Sequence, residues 1–391
     1  MSNATVAVVG AGVVGVSIAR GLAMAGADVT VFDRTGIGTG TSGRTFAWVN
    51  SHHKNPRPYH DLNVAGMAAH RELAVPDGGA RWFFPTGNHE WADDDAGRER
   101  LAASTRELSE RGYAVTRLTA DQARRRLPDL LVPPGIDEIV CYPEEGYVLP
   151  GLLLARLWGE ARDHGARLRC PDEVAGIDTA GSTATVRTAA GETWTGDRVV
   201  LAGGRWTGEL TGLAGRPMAV RDPNEPGDVV CGFLGYTEPV PTRLNAVLTT
   251  PRINVRPDGG GRLVLQTLDL DHRADPLYAV ERSGPVGQEM LHRLHRVLAG
   301  TDGAALSHIA VGQRAMPADG RTAAGFLDDR TYAVCTHSGI TLSVLLGRIV
   351  AEEVLRDRRS PLLSGFEPDR LLDTTTAAFP DLPRAQYAGQ Q

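Results

Sequence analysis

The sequence predicts an α/β protein interrupted by an inserted antiparallel α+β domain. Three observations predict it. A strand, a glycine-rich turn, a helix, a second strand and an acid follow one another within residues 5–33. Two more apolar runs that end in small residues stand far downstream, at 196–207 and 331–341. Between these segments lie short β-branched runs broken by turn residues, the pattern of an antiparallel sheet.

Thr5–Val9 is apolar and β-branched, and reads as a buried strand. Gly10-Ala-Gly12-Val-Val14-Gly15 follows directly. Val14, Ile18, Leu22 and Ala25 then recur at helical spacing until Gly26 ends the helix. Val29–Phe32 is a second strand closing on Asp33. In this order the elements form a dinucleotide-binding unit of Rossmann type. Gly10 permits the tight turn, Gly12 admits a pyrophosphate close to the backbone, and Gly15 lets helix and strand pack closely. The helix N-terminus offers free N–H groups to phosphate. Asp33, 18 residues after Gly15, can accept from ribose hydroxyls. Arg34 beside it is compatible with a 2′-phosphate, but a solvated arginine after a strand is the plainer reading.

Composition limits the rest. The chain has 391 residues, 42% hydrophobic and 23% charged, which excludes a wholly disordered chain. A net charge of −6 offers no basic field for nucleic acid or an anionic membrane. No apolar run is long enough to span a bilayer, and no basic leader precedes the first apolar run. Cys141, Cys170, Cys231 and Cys335 show no CxxC spacing, so neither a zinc site nor a disulfide scaffold is expected, and a cytoplasmic location is. Of the 41 basic residues a single one is lysine, Lys54, and the other 40 are arginine. A GC-rich genome is the default explanation. Glycine, at 46 residues, also exceeds the usual ~7% and needs positions that explain it.

Three later segments bear on the cofactor. Gly36 to Arg44 is rich in small residues and includes Thr41, Ser42 and Gly43. Gly196–Thr207 is an apolar strand ending in Ala202-Gly203-Gly204, with Trp206 close behind. Gly312–Thr341 contains Arg314, Asp319-Gly320, a strand over Thr331–Cys335 and the turn His337-Ser338-Gly339-Ile340-Thr341, before an apolar helix from Leu342 to Leu355. With the N-terminal unit, these segments resemble, in order, the motifs of the D-amino-acid oxidase, glycine oxidase and sarcosine oxidase-like superfamily.

The resemblance implies FAD, bound without a covalent link, in a Rossmann-like domain of the glutathione-reductase type. It places Val14 and the backbone of Val174 toward the nucleotide, and Thr41, Ser42 and Arg44 along the phosphates. It places Ala202, Gly203, Gly204 and Trp206 at the second cofactor segment. The turn from His337 to Thr341 would face the flavin N1–C2=O edge, where partial positive charge favours the reduced state. His337 is then part of the cofactor turn rather than a catalytic group. An arginine at the position of Arg314 would grip a substrate carboxylate. The alternative is an arginine paired with an acid such as Asp319. Ala315 and Arg321 stand where the family pattern has proline, which suggests a subfamily.

The FAD-binding domain is expected to be discontinuous, over 1–85, 145–222 and 312–372. The substrate domain would take 86–144 and 223–311, and 373–391 would form a loosely ordered tail. Strands are expected at 81–92, Val229–Leu234, Leu244–Thr249, Arg252–Arg256 and Arg262–Gln266, with a hairpin turn over Pro257–Gly260. Helices are expected over Tyr59–Leu73, Arg98–Arg111, Thr119–Arg126 and Gly287–Leu298. His52, His53, Lys54 and Tyr59 form a polar cluster after the first cofactor segment, and His52, His53, Tyr59, Arg252 and Arg256 are candidates for the substrate pocket. His292 and His295 are spaced i, i+3 but lack a third ligand, so no metal is expected.

The function implied is oxidation of a C–N bond of an amino acid or secondary amine to an imine, by hydride transfer to flavin N5. Oxygen or another acceptor would take the electrons. A dehydrogenase or biosynthetic tailoring oxidase using a different acceptor, and a flavin-holding subunit that needs a partner, are the alternatives. A hydroxybenzoate-type monooxygenase shares the first fingerprint but not the later turn. In several sarcosine-oxidase-like members a lysine above the flavin assists oxygen. The expected substrate sheet here has none, so either Arg252, Arg256 or His272 substitutes or oxygen is not the natural acceptor.

Overall fold

The computed structural model describes residues 4–74, 79–385 and 387. Among them are eight α-helices: α1 (Val13–Met24), α2 (Arg57–Leu73), α3 (Asp95–Glu110), α4 (Ala120–Arg126), α5 (Pro150–Asp163), α6 (Thr207–Leu213), α7 (Pro285–Val297) and α8 (Gly339–Arg356).

One six-stranded sheet carries the N-terminal unit. Its order is Ala323–Phe326, Thr331–Cys335, Arg198–Leu201, Thr5–Val9, Asp28–Phe32 and Arg167–Arg169. All neighbours run parallel except the first pair. Val9 lies opposite both Leu201 and Phe32, so the parallel strands end level, beside the glycine turn. Both faces are covered, as parallel sheets require. Val6 and Val8 point into one core with Ile18 and Leu22 of α1 and Leu345, Leu346 and Val350 of α8. Ala7 and Val9, one step along the strand, point into another with Val174, Ile177 and Val186. Those last residues belong to the antiparallel meander Val174–Asp178, Ala184–Thr188 and Thr193–Gly196.

The eight-stranded sheet runs Leu306–Gln313, Cys231–Thr237, Leu263–Gln266, Asn254–Pro257, Val247–Thr249, Asn88–Glu90, Glu138–Tyr142 and Thr116–Thr119. It is antiparallel except where Val247–Thr249 meets Asn88–Glu90. Met290 and Leu294 of α7 fill one face with Leu265 and Val255. Phe46, Tyr147, Leu234 and Val264 form a small core on the other. A second small sheet, Trp48–Val49, Gly146–Val148 and Phe83–Phe84, joins the two large ones.

Local chemistry moved some boundaries. α3 starts at Asp95 rather than Arg98 because the Asp94 carboxylate caps the Gly97 N–H at 2.6 Å. α4 begins after Thr119 with a complete capping box to Gln122. α7 starts at Pro285, two residues before the expected glycine, since proline suits the first turn. The hairpin after Pro257 takes in Gly259, Gly260 and Gly261, all at positive φ. The described part of the tail is docked, not loose: Arg221 donates to the Pro380 carbonyl at 2.6 Å, and Leu382 packs near Gly320. Residues 386 and 388–391 of that tail, and 1–3 and 75–78 of the first expected domain segment, lie outside the described residues. No helix among the described residues is long and apolar enough to cross a membrane.

Candidate functional site

A groove of about 460 Å³ opens at the C-terminal ends of the parallel strands, the usual crevice of an open α/β sheet. The glycine turn builds its floor. Gly10 has φ +112°, and a Cβ there would stand 2.4 Å from the Ala202 carbonyl oxygen. A Cβ on Gly15, which does not itself line the groove, would meet the Gly10 oxygen at 1.9 Å. Any side chain at either position would close the cradle. The Ser42 hydroxyl accepts the Val13 N–H at 2.9 Å and so draws the segment after Gly36 over the start of α1. Asp33 accepts N–H groups of Ala11, Thr35 and Gly36 at 2.8–2.9 Å. The Thr35 hydroxyl and both of the later N–H groups go to Oδ1, while among the described residues Oδ2 accepts from Ala11 alone and keeps an acceptor position for a ribose hydroxyl.

Gly10, Gly12, Val14, Asp33, Arg34, Thr41, Ser42, Val174, Ala202, Gly203, Gly204, Trp206, His337, Gly339 and Ile340 all line this groove. Three cations gather without a full acidic partner. Arg34 and Arg205 stack on the Trp206 ring, at 4.0 and 3.6 Å from its centroid. Arg205 donates to the Thr41 hydroxyl at 2.9 Å, and its buried Nε has no partner among the described residues. Burial, then Arg44 and Arg34, pull its guanidinium down to about 10. Arg34 reaches Glu173 only at 3.6 Å. Such a cluster calls for an anion with several oxygens, and the pyrophosphate of a flavin dinucleotide supplies one. On the cradle and these unsatisfied donors, the residues present fit FAD.

A second cavity, of about 360 Å³, adjoins the groove, and Thr41, Thr45, His337 and Ile340 line both. Arg44, Ser338 and Thr341 face this second space. Its walls come from the first turn of α8, from the loop before α2 and from the eight-stranded sheet. The Ser338 and Tyr59 hydroxyls meet at 2.6 Å, and the Thr341 hydroxyl donates to the Trp48 carbonyl at 3.3 Å. Burial holds the His337 imidazole well below the usual histidine range, and the Lys54 and Arg314 cations push the same way. It is therefore neutral near pH 7.

Arg314 lines the second cavity, but its acid is Asp271 at 3.2 Å, not Asp319. It also donates to the carbonyls of Val229 and Cys231. Asp319 is taken by Arg370 and Arg321 at 2.7 and 3.1 Å. Of the pocket candidates, Tyr59 lies in the wall, and four others do not. Arg252 is 74% exposed and 3.6 Å from Asp93. Arg256 is buried, and the Phe46 and Pro257 carbonyls and Asp258 consume its donors. His272, expected only as a stand-in for the missing lysine, bonds the Asp269 carbonyl at 2.8 Å and is also away from the wall. His52 and His53 sit behind the wall in an ion-pair network. His52 Nδ1 donates to Glu145 at 2.7 Å, and its Nε2 is 3.4 Å from Glu90, which also meets His53 at 3.3 Å. Despite full burial, the two carboxylates raise His52 to about 9, so it is an imidazolium. His52, His53 and Glu90 bring ligand-type atoms within 4.8 Å of one another, and charge pairing accounts for that cluster. On α7, His295 bonds the Thr301 hydroxyl at 3.1 Å.

Lys54 is the wall residue that the sequence undervalued. The signal was composition: a chain of arginines that retains one lysine.

The comparisons with known proteins agree with this geometry. The family model described as FAD-dependent oxidoreductase (DAO) matches residues 5–353. The tRNA 5-methylaminomethyl-2-thiouridine biosynthesis bifunctional protein MnmC of Chromohalobacter salexigens is 30% identical over 218 residues, 54% of this chain and 30% of that protein. The chain thus spans under a third of that relative's length. Glycine oxidase from Geobacillus kaustophilus superposes with a TM-score of 0.81 at 23% identity, covering 94% of this chain and 99% of that one. L-proline dehydrogenase from P. horikoshii gives 0.78 at 18% identity, covering 94% and 98%. At these identities the structural likeness establishes the fold.

Proposed function

Since the chain belongs to the DAO family of FAD-dependent oxidoreductases, we propose that it oxidises a C–N bond of a small amino acid or secondary amine to the imine. The observation that carries this is the adjacency of the two cavities, which share Thr41, Thr45, His337 and Ile340 as a common wall. One space suits the dinucleotide, and the other adjoins it with room for a small substrate. FAD, when bound, supplies the two-electron acceptor, taking a hydride from the carbon beside nitrogen. The chain's work is to hold the cofactor, orient the substrate and exclude water.

Gly10, Gly12 and Asp33 hold the nucleotide half, and Arg205 and Arg34 neutralise the phosphates. The first turn of α8 directs backbone N–H groups toward the junction of the cavities. Arg314 takes the carboxylate of an amino-acid substrate. Its three existing bonds fix the guanidinium, and its Nε is bonded to no described residue. Attachment of FAD is non-covalent. Burial raises the Cys335 thiol to about 12 and the Cys231 thiol to about 11, which leaves neither as a thiolate nucleophile. Four free cysteines are in keeping with a cytoplasmic location.

The test is anaerobic mixing of the FAD-loaded protein with a panel of amines and amino acids. Loss of the oxidised flavin's visible band with one of them is expected. A yellow protein that none of them bleaches would overturn the reading. Re-oxidation by air with peroxide release, or only by a dye, then distinguishes oxidase from dehydrogenase.

A further inference from the structure

Forty arginines and one lysine share this chain, and the lysine is not on its surface. Lys54 follows the Trp48–Val49 strand in the loop before α2. It is 5% exposed and lines the substrate cavity together with Tyr59 and His337. Among the described residues, none hydrogen-bonds or ion-pairs with its amine. Its nearest acid in effect, Glu145, is already engaged. That buried carboxylate accepts from Tyr113 at 2.6 Å, His52 at 2.7 Å and Trp48 Nε1 at 3.1 Å. The His52 imidazolium offsets part of its charge.

We propose that Lys54 is the base that takes a proton from the substrate's ammonium group before the C–N bond is oxidised. This rests on the function proposed above. In the step, the Lys54 lone pair forms a new N–H bond. The substrate N–H bond breaks, and its electrons stay on the substrate nitrogen. Lys54 becomes an ammonium, the substrate a neutral amine, and no electron changes hands. The neutral amine's lone pair then assists departure of hydride from the adjacent carbon. Arginine could not serve, because a guanidinium does not give up its proton in proteins.

The surroundings suit the role. Burial lowers the Lys54 amine to about 7, with Glu145 pulling the other way. His337 is held neutral and Tyr59 is raised above the usual phenol range, both chiefly by burial. On the same wall, Asp319 is held ionised by Arg370 and Arg321, and the guanidinium groups of Arg44 and Arg314 also line the space. Among these groups Lys54 is the one that changes charge near neutral pH.

A single lysine makes the test direct. Lysine labelled with ¹³C and ¹⁵N at the side-chain end gives one side-chain signal from the whole FAD-loaded protein. A titration midpoint near 7 is expected. A midpoint near the ordinary lysine value of about 10.4 would make Lys54 a permanent cation and overturn the proposal. In kinetics, Lys54→Met should lower kcat/KM at neutral pH by about 10²-fold. The loss should shrink at alkaline pH, where the substrate amine is already neutral, and the bound-flavin spectrum should stay unchanged. Lys54→Arg should not restore the rate. Rescue by arginine, or an equal loss at every pH, would assign Lys54 to holding an anion and refute the base. If the wild-type protein bleaches with no amine, the function itself falls, and the midpoint of the lysine signal records that failure separately.

Discussion

A single buried histidine sets part of this protein's acid tolerance. His70 on α2 is fully buried, and its Nε2 contacts the Ile340 carbonyl at 2.8 Å, in the turn that borders both cavities. Burial pulls it down to about 4. Its folded value lies below its unfolded one, so its contribution to stability is complete above pH 6.5 and is lost as pH falls through 4. The difference is worth about 3 kcal/mol. His70→Gln keeps a donor for Ile340 but cannot charge. Its denaturant midpoint should therefore fall less steeply than wild type between pH 6.5 and 4, and parallel slopes would refute this. Residues of this kind are not legible in sequence. Gly10, Gly12, Gly15 and Asp33 were, because their spacing is itself the geometry of the turn. Glu145 and its partner His52 were not, because 93 residues separate them and only the pairing of Trp48–Val49 with Gly146–Val148 joins them. The partner of Arg314 was missed for the same reason.

At the scale of elements, α1 and α8 touch backbone to backbone. A Cβ on Gly21 would stand 2.0 Å from the Gly347 oxygen, and one on Gly347 would stand 2.4 Å from the Ser17 oxygen. Both helices start at the cofactor groove, so their mutual packing fixes the relative position of two N-termini. Gly21→Ala should cost about 1–3 kcal/mol by overpacking. It should also speed FAD release, since neither helix can yield without moving its first turn. Unchanged melting and unchanged release would show that the crossing tolerates a methyl group. The periodicity of both helices and the identity of most strands could be read from the chain. Their starts were less legible where a cap lay upstream of the apolar pattern, as with Asp94 before α3. The pairing of Val247–Thr249 with Asn88–Glu90 was hidden too, because no local signal couples segments so far apart.

For the molecule as a whole, the cofactor is a structural member as well as a reagent. The groove draws its lining from residues near 10, 33, 41, 174, 203 and 337, which a dinucleotide would tie together. FAD at a hundred times its Kd should add about 2.7 kcal/mol to stability and raise Tm by several degrees. Asp33→Ala should abolish that increment, because it removes the ribose acceptor and also frees the N–H groups of Ala11, Thr35 and Gly36. Equal FAD-induced shifts in wild type and variant would remove Asp33 from the site. The described tail residues add a further wall, since Leu382, Pro383 and Ala385 line the second cavity. The arginine-for-lysine bias has its own consequence at this scale. To reagents that seek side-chain amines, the folded exterior offers no target. Acylating agents of graded bulk therefore act as callipers: the largest one that still modifies Lys54 measures the aperture of the cavity it lines.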